Sequence, residues 1–232
     1  VFLAALCCWA SLPIAFAQDQ PASINFHKMG IAEGLHDGTV RCIGQDRYGY
    51  IWIGSVGALN RYDGKNVVHY TRITGDSTSP YGSQPRSIHS DKAGRLWIGF
   101  ETGLMEYDLD KGIFKKVPGI KDQFISNIFS LNDSVLFVAS RRGLIRYNTR
   151  TGDTLYFSNS QAPRHTALYK NAVYDIALRN GTLYLATGRG LVLMNLATLE
   201  ARLVPIAPLG EKMIHTLALD AKGNTWIAPS SR

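Results

Sequence analysis

An all-β fold, a β-propeller of four-stranded blades, is what three observations in this sequence predict. A four-residue motif of apolar, aromatic, apolar and small residues recurs five times. The stretches around it are short and cut by Gly, Asp and Asn turns at strand spacing. No 11-residue window carries a persuasive 3.6-residue period, so helix is nearly absent. The clearest copies are Ile51-Trp52-Ile53-Gly54 and Leu96-Trp97-Ile98-Gly99. Weaker ones are Leu136-Phe137-Val138-Ala139, Leu183-Tyr184-Leu185-Ala186 and Thr225-Trp226-Ile227-Ala228. The aromatic positions 52, 97, 137, 184 and 226 are separated by 45, 40, 47 and 42 residues. Six residues after each of the first four aromatics come Ala58-Leu59, Gly103-Leu104, Gly143-Leu144 and Gly190-Leu191. Four further on stand Tyr62-Asp63, Tyr107-Asp108, Tyr147-Asn148 and Met194-Asn195. Constant offsets inside a unit with variable gaps between units mean one repeated supersecondary element joined by loops of different length.

In the first unit, Thr39 to Gly44 is a strand and Asp46-Arg47-Tyr48-Gly49 a turn, with Gly where positive φ is needed. Tyr50 to Gly54 is a near-continuous apolar strand, expected to be buried on both faces. A turn at Gly57 leads to a third strand, Ala58 to Tyr62, and Asp63-Gly64 is a hairpin into a fourth, Asn66 to Tyr70. The second unit repeats this with Asp91-Lys92-Ala93-Gly94 as its first turn, and the fifth with Asp220-Ala221-Lys222-Gly223. Four strands in about 40–45 residues is a propeller blade. A leucine-rich solenoid has a shorter period, and helical repeats require amphipathic helices. Trp52, Trp97 and Trp226, lying in the second strand, are expected to pack between neighbouring blades. The Asp or Asn after each third strand reads as turn chemistry, not as half of a catalytic dyad.

The chain has 232 residues, 45% of them hydrophobic and 19% charged, which excludes wholesale disorder. Four whole blades fit, and the fifth stops after its second strand, so blades occupy residues 36–232 of what is expected to be an N-terminal fragment. Residues 18–35 hold Ile24 to Met29, a candidate lone strand completing the last blade of a closed ring. Segments 71–83 and 158–169, rich in Ser, Thr, Pro and polar residues, are inter-blade loops. Residues 1–17 read as an export signal: an uncharged apolar run ending in Ala15-Phe16-Ala17 and followed by Gln18-Asp19-Gln20. Its basic start is missing and the first residue is Val, so a trimmed or non-standard start is expected. Cys7 and Cys8 sit too early for a lipoprotein box, and Cys42 alone supplies no disulfide framework and no metal pair. Cys42 is expected to be a small core residue.

Gly34-Leu35, Val40-Arg41-Cys42-Ile43-Gly44-Gln45-Asp46, Gly49-Tyr50-Ile51-Trp52-Ile53-Gly54 and Leu59-Asn60-Arg61-Tyr62-Asp63-Gly64 resemble the two-component regulator propeller repeat. The resemblance covers residues 24–228 and is specific in the first two blades. It implies a pair of seven-bladed propellers, a short β-sandwich, one membrane span and a cytoplasmic output module, most often a histidine kinase and in some relatives a diguanylate cyclase. It also implies sensing of polysaccharide fragments in the periplasm, by a homodimer when full length. The later parts are outside this chain, so membrane linkage and any kinase activity would belong to them.

The net charge of +7, from 25 Lys and Arg against 18 Asp and Glu, suits anionic partners without choosing among them. No zinc-protease motif, P-loop or dinucleotide fingerprint is present, so no cofactor is expected. Gly54-Ser55-Val56-Gly57 lacks the strand-to-helix turn of a nucleophile elbow. The six histidines, at 27, 36, 69, 89, 165 and 215, have no ligand spacing, and Asp108-Leu109-Asp110-Lys111-Gly112 reads as a hairpin and not a metal loop. Lys115-Lys116 and Arg141-Arg142 lack interleaved aromatics, and export argues against nucleic acid. One column remains as a candidate ligand site. In each first strand a residue lies between an apolar or Pro position and the next core position: Arg41, Arg86, Ser126, Tyr174 and His215. Innermost propeller strands line the central channel, so these five are expected to ring it or its mouth. There they would hold an acidic or hydroxyl-rich sugar by charge-assisted hydrogen bonds and stacking; solvated channel residues without a ligand are the plain alternative. The reading is therefore a non-catalytic, periplasmic, carbohydrate-sensing domain. A secreted propeller enzyme acting on polysaccharide and an interaction scaffold are its rivals.

Overall fold

A computed structural model of the chain describes residues 26–76, 78–121, 123–159, 167–207, 210 and 212–230. The segment expected to be an export signal, residues 1–17, lies outside the described residues. Of the candidate ring-closing strand only residues 26–29 are described; they make no strand ladder, and Phe26 is exposed.

The first blade is β1 (Val40–Gln45), β2 (Ile51–Ser55), β3 (Ala58–Tyr62) and β4 (Val67–Thr71). The second is β5 (Pro85–Ser90), β6 (Leu96–Phe100), β7 (Gly103–Asp108) and β8 (Ile113–Lys121). The third is β9 (Ile125–Asn132), β10 (Val135–Ser140), β11 (Gly143–Asn148) and β12 (Thr154–Tyr156), followed by a 3-10 turn at Phe157–Asn159. The fourth is β13 (Val173–Arg179), β14 (Thr182–Thr187), β15 (Gly190–Asn195) and β16 (Ala201–Val204). A two-stranded unit, β17 (Ile214–Leu219) and β18 (Thr225–Pro229), comes last. Every sheet is antiparallel with strands in chain order. The first strands lie side by side, β1 on β5, β5 on β9, β9 on β13 and β13 on β17. That contact chain makes them the inner ring of a propeller.

The local chemistry explains two of the three turns in a blade, those after the first and third strands. Asp46 Oδ1 accepts the backbone N–H groups of Tyr48 (2.9 Å) and Tyr50 (3.1 Å), while Gly49 sits at φ 88°. Its other oxygen takes the indole N–H of Trp52 at 2.7 Å. The same clamp joins Trp97 to Asp91 (2.9 Å) and Trp226 to Asp220 (3.1 Å). Blades three and four carry Phe137 and Tyr184, and there the turns hold no such Asp: Asn180-Gly181 closes the fourth as a tight hairpin with φ 49° and 73°. At the same end, in the turn after the third strand, Asp63, Asp108, Asn148 and Asn195 each accept two following backbone N–H groups through Oδ1. That is turn chemistry in all four blades. Asp108 Oδ2 is further engaged by Lys115 at 2.7 Å.

The core lies between blades. Trp52 packs among Leu96, Ile98, Phe100 and Met105 of the second blade, and Trp97 among Ile125, Leu136, Val138 and Ile145 of the third. The small residue closing each motif makes room for the next inner strand. A Cβ on Gly54 would stand 2.8 Å from that of Pro85, and one on Gly99 2.5 Å from Ile125 Cγ2. Trp226 departs from expectation: it is 64% exposed. A motif aromatic packs on the blade that follows its own, and no blade follows β18 among the described residues. Ile43 on β1 lacks the opposite neighbour: it is 67% exposed with no blade before it among the described residues, whereas Ile128 at the matching place on β9 is buried against Trp97 of the preceding blade.

Candidate functional site

Every inner strand carries a β-bulge, and the five bulges fall on one column. Pairing steps from Val40↔Ser55 to Cys42↔Gly54, from Pro85↔Phe100 to Ser87↔Gly99, and from Ile125↔Ser140 to Asn127↔Ala139. It then steps from Val173↔Thr187 to Asp175↔Ala186, and from Ile214↔Pro229 to Thr216↔Ala228. The residues passed over are Arg41, Arg86, Ser126, Tyr174 and His215. A bulged residue has no partner across the ladder and its side chain is turned out of the strand's alternation. Four residues immediately before them, Pro85, Ile125, Val173 and Ile214, are buried. The bulge thus keeps an apolar anchor in the inter-blade core and presents its neighbour at the end of the inner ring, the mouth of the channel.

Antiparallel pairing brings the hairpins after the second strands to this same end. They supply Glu101, Arg141, Arg142 and Arg189. Around blades one to three the side chains form a connected basic cluster. Arg86 Nη2 donates to Gln84 Oε1 at 2.6 Å. The Arg86 guanidinium lies 4.7 Å from the Phe124 ring centre, and that of Arg141 lies 4.3 Å from it. Burial, then the like charge of Arg41, push the Arg86 guanidinium below its usual range; Glu101 opposes this and Arg141 adds to it. Glu101 is occupied by the loop before β5, accepting from Ser83 N (2.9 Å), Ser83 Oγ (3.1 Å) and Gln84 N (2.9 Å). Arg86 Nε and Ser126 Oγ are buried with no hydrogen-bond partner. Such atoms are scarce in folded proteins because each forfeits its solvation without replacement. Two blades on, Tyr174 and His215 form a ring pair with centres 5.9 Å apart. No hydrogen bond joins this pair to the arginines among the described residues.

Below the bulges the next residue binds the inner strands together. Asp175 accepts from Asn127 Nδ2 (2.5 Å), Thr216 Oγ1 (2.6 Å) and Leu217 N (3.0 Å), tying β9, β13 and β17. Cys42 occupies the matching place on β1 and is half-buried. Burial pushes its thiol up to about 12, against the Gly54 backbone hydrogen bond and the charge of Arg86. It therefore stays protonated and inert, a packing residue. No three His, Cys, Asp or Glu side chains converge as metal ligands among the described residues.

Sequence reasoning located the column but not the company it keeps. Phe124, Gln84, Glu101 and Arg141 were missed as members. The signal for Arg141 was available, since the pair Arg141-Arg142 directly follows the motif's second strand and must turn at the inner strand's beginning.

The mouth begins in the segment that comparison with known families picks out. Residues 34–57 match the family model of the two component regulator propeller. That span contains β1, its bulge at Arg41 and β2. No curated protein sequence matches the chain. Among solved structures the propeller is similar to the extracellular domain assigned to the hybrid two component system BT3049 of B. thetaiotaomicron. The TM-score is 0.76 at 22% identity, over 88% of this chain and 29% of that one. A second is the extracellular domain assigned to the one component system BT4673 of the same organism, with TM-score 0.68 at 17% identity, over 91% and 27%. A third is virginiamycin B lyase from Staphylococcus aureus, with TM-score 0.61 at 19% identity, over 84% and 64%. The chain spans less than a third of the length of the first two. At these identities the likeness is one of fold, and the fold carries both extracellular domains and a lyase.

Proposed function

We propose that this chain is the ligand-binding part of an extracellular or periplasmic sensor of the two-component kind, recognising a carbohydrate at the mouth of the inner ring. The observation that carries this reading is the bulge column. Five inner strands spend a ladder position on Arg41, Arg86, Ser126, Tyr174 and His215, and two polar atoms of that column are left buried without partners. A fold that needed only a closed ring would gain from pairing those groups. The match to the two component regulator propeller and the likeness to two extracellular domains support the sensor setting. The propeller performs no chemistry in this reading. Ligand binding shifts a population between arrangements of a homodimer and biases an output module, a histidine kinase, encoded outside this chain.

A second reading is an enzyme acting on polysaccharide at the same mouth, since the fold also carries a lyase. The described mouth offers cations, a hydroxyl and aromatic faces, and the carboxylate beside Arg86, Glu101, is held by three donors. Calorimetry of the intact protein with acidic and neutral oligosaccharides, with product analysis of the same mixtures, separates the two. Saturable binding with the sugar recovered whole, lost in the double variant Arg41→Ala and Arg86→Ala, supports the sensor. Cleavage of the sugar refutes it in favour of the enzyme, and inertness towards the whole panel returns the domain to an interaction scaffold.

A further inference from the structure

The mouth is chemically asymmetric around the ring. Blades one to three contribute Arg41, Arg86 and Arg141, of which Arg41 and Arg141 are exposed and Arg86 is half-buried between them. The ion pairs among the described residues, Arg47–Asp110, Arg95–Asp91 and Lys115–Asp108, all lie elsewhere. Glu101 is the carboxylate whose charge bears on Arg86, and its oxygens are taken by backbone and hydroxyl donors of the Ser83-Gln84 loop. Three guanidinium groups therefore share a site in which none of them is ion-paired among the described residues. Proceeding round the inner ring, Ser126 on β9 follows with its unpartnered hydroxyl, and then the Tyr174–His215 ring pair.

We propose that this mouth selects a sugar bearing a carboxylate, a uronic-acid type of ligand, with the carboxylate on the Arg41–Arg86–Arg141 side and the sugar ring directed past Ser126 towards Tyr174. The inference rests on the sensor reading of the mouth and adds the class of ligand. The Nε and Nη2 edge of a guanidinium meets the two oxygens of a planar carboxylate in parallel hydrogen bonds. In Arg86, Nη2 is spent on Gln84 and Nε on nothing. An arriving carboxylate draws the guanidinium off Gln84 and satisfies both nitrogens of that edge. It also relieves the repulsion among three like charges, so Arg41 and Arg141 favour it without needing direct contact. Ser126 Oγ, shut from water and unpartnered in the structure, gains an acceptor or donor from a ring hydroxyl of the bound sugar. The movement of Arg86 off Gln84 frees one face of Phe124 and gives the site a two-position side chain that reports occupancy.

The test follows the Arg86 Nε–H signal by nitrogen–proton NMR in the intact protein, assigned by its loss in Arg86→Gln. The probes are D-glucuronate, D-glucose and inorganic sulfate. The expected result is a saturable shift with glucuronate, with glucose binding about tenfold or more weakly, the worth of a charged hydrogen bond. Arg141→Gln, a change at an exposed side chain, weakens glucuronate and leaves glucose where it was. An Arg86 Nε signal unmoved by glucuronate overturns the proposal, as does equal affinity for glucose. Sulfate binding as tightly as glucuronate overturns it too, since a tetrahedral anion then suffices. Binding of glucose alone removes the carboxylate clamp and leaves the sensor reading standing. That reading falls on a different result, cleavage of sugar in the calorimetric mixtures.

Discussion

Replacing Arg86 by Met should stabilise the protein while removing its anion preference. The gain comes from Nε, a buried donor without a partner, whose removal returns about 1–3 kcal/mol. Relief of the Arg41 and Arg141 charges adds in the same direction. The losses are the hydrogen bond to Gln84, worth about 1 kcal/mol, and the contact with the Phe124 face, about 0.5–1 kcal/mol. A thioether against the same ring restores about as much as that contact gave. The balance is about 1 kcal/mol in favour of the variant, a rise in Tm of about 2–4 °C for a chain of this size. Arg95→Met is the internal control. Arg95 has the same side chain but is engaged at both atoms, with Nε on Asp91 (2.7 Å), Nη2 on the Asp133 carbonyl (2.7 Å) and its guanidinium carbon 5.2 Å from the Trp97 ring centre. Its removal should cost about 2 kcal/mol or more. Thermal and urea unfolding of the two variants beside the parent measure both effects. A loss of stability in Arg86→Met comparable to that in Arg95→Met would refute the argument, because Arg86 would then be a structural residue with its donors satisfied.

Three further expectations concern the frame that carries the mouth. Asp91→Ala strips acceptors from buried Trp97 Nε1, from Arg95 N and from the Arg95 guanidinium, and should cost about 3 kcal/mol. Asp220→Ala, the same change beside an exposed Trp226, should be nearly silent in urea unfolding; equal losses would show that the clamp's worth does not depend on burial. Gly99→Ala places a Cβ 2.5 Å from Ile125 Cγ2 and should cost about 1–3 kcal/mol through overpacking, and a neutral denaturant midpoint would mean the blades lie further apart than described. The pH profile of stability should carry a histidine step. Burial lowers the pKa of His89, against the pull of Asp91, while its Nε2 shares a 2.8 Å hydrogen bond with Ser130 Oγ. The unfolded chain takes up a proton at the ordinary value of 6.5 and the folded chain does so lower. This share of stability is therefore complete above that value and declines as pH falls below it towards the folded pKa. Melting followed from neutral to acidic pH should show the decline flattened in His89→Gln, and an unchanged slope would exclude His89 as its source.

Much of the architecture is written in local chemistry that a sequence displays openly. Trp52 and Trp97 at a fixed distance behind Asp46 and Asp91 declare second strands buried on both faces. Asp63, Asp108, Asn148 and Asn195 declare the turns, because an Asx side chain accepts from backbone groups two and three residues ahead in any setting. These interactions span few residues, so spacing alone reveals them. The column Arg41, Arg86, Ser126, Tyr174 and His215 was legible for the same reason, as a periodic break between an apolar anchor and the next core residue. Its bulge was not legible, since a bulge exists only relative to a partner strand. Nor did spacing show that Arg86 and Arg141 share the face of Phe124, that Glu101 is already satisfied, or that Arg86 Nε and Ser126 Oγ are stranded. Those facts join residues far apart in sequence, across blades in the case of Arg86 and Phe124, and their energies depend on which groups lose water together. Trp226 makes the same point from the other side: its motif matches that of Trp97, yet it is exposed, because burial belongs to the neighbouring blade and not to the residue. Periodicity determined the blades and the column, and only the tertiary packing decided which of those side chains have partners and which are left buried without one.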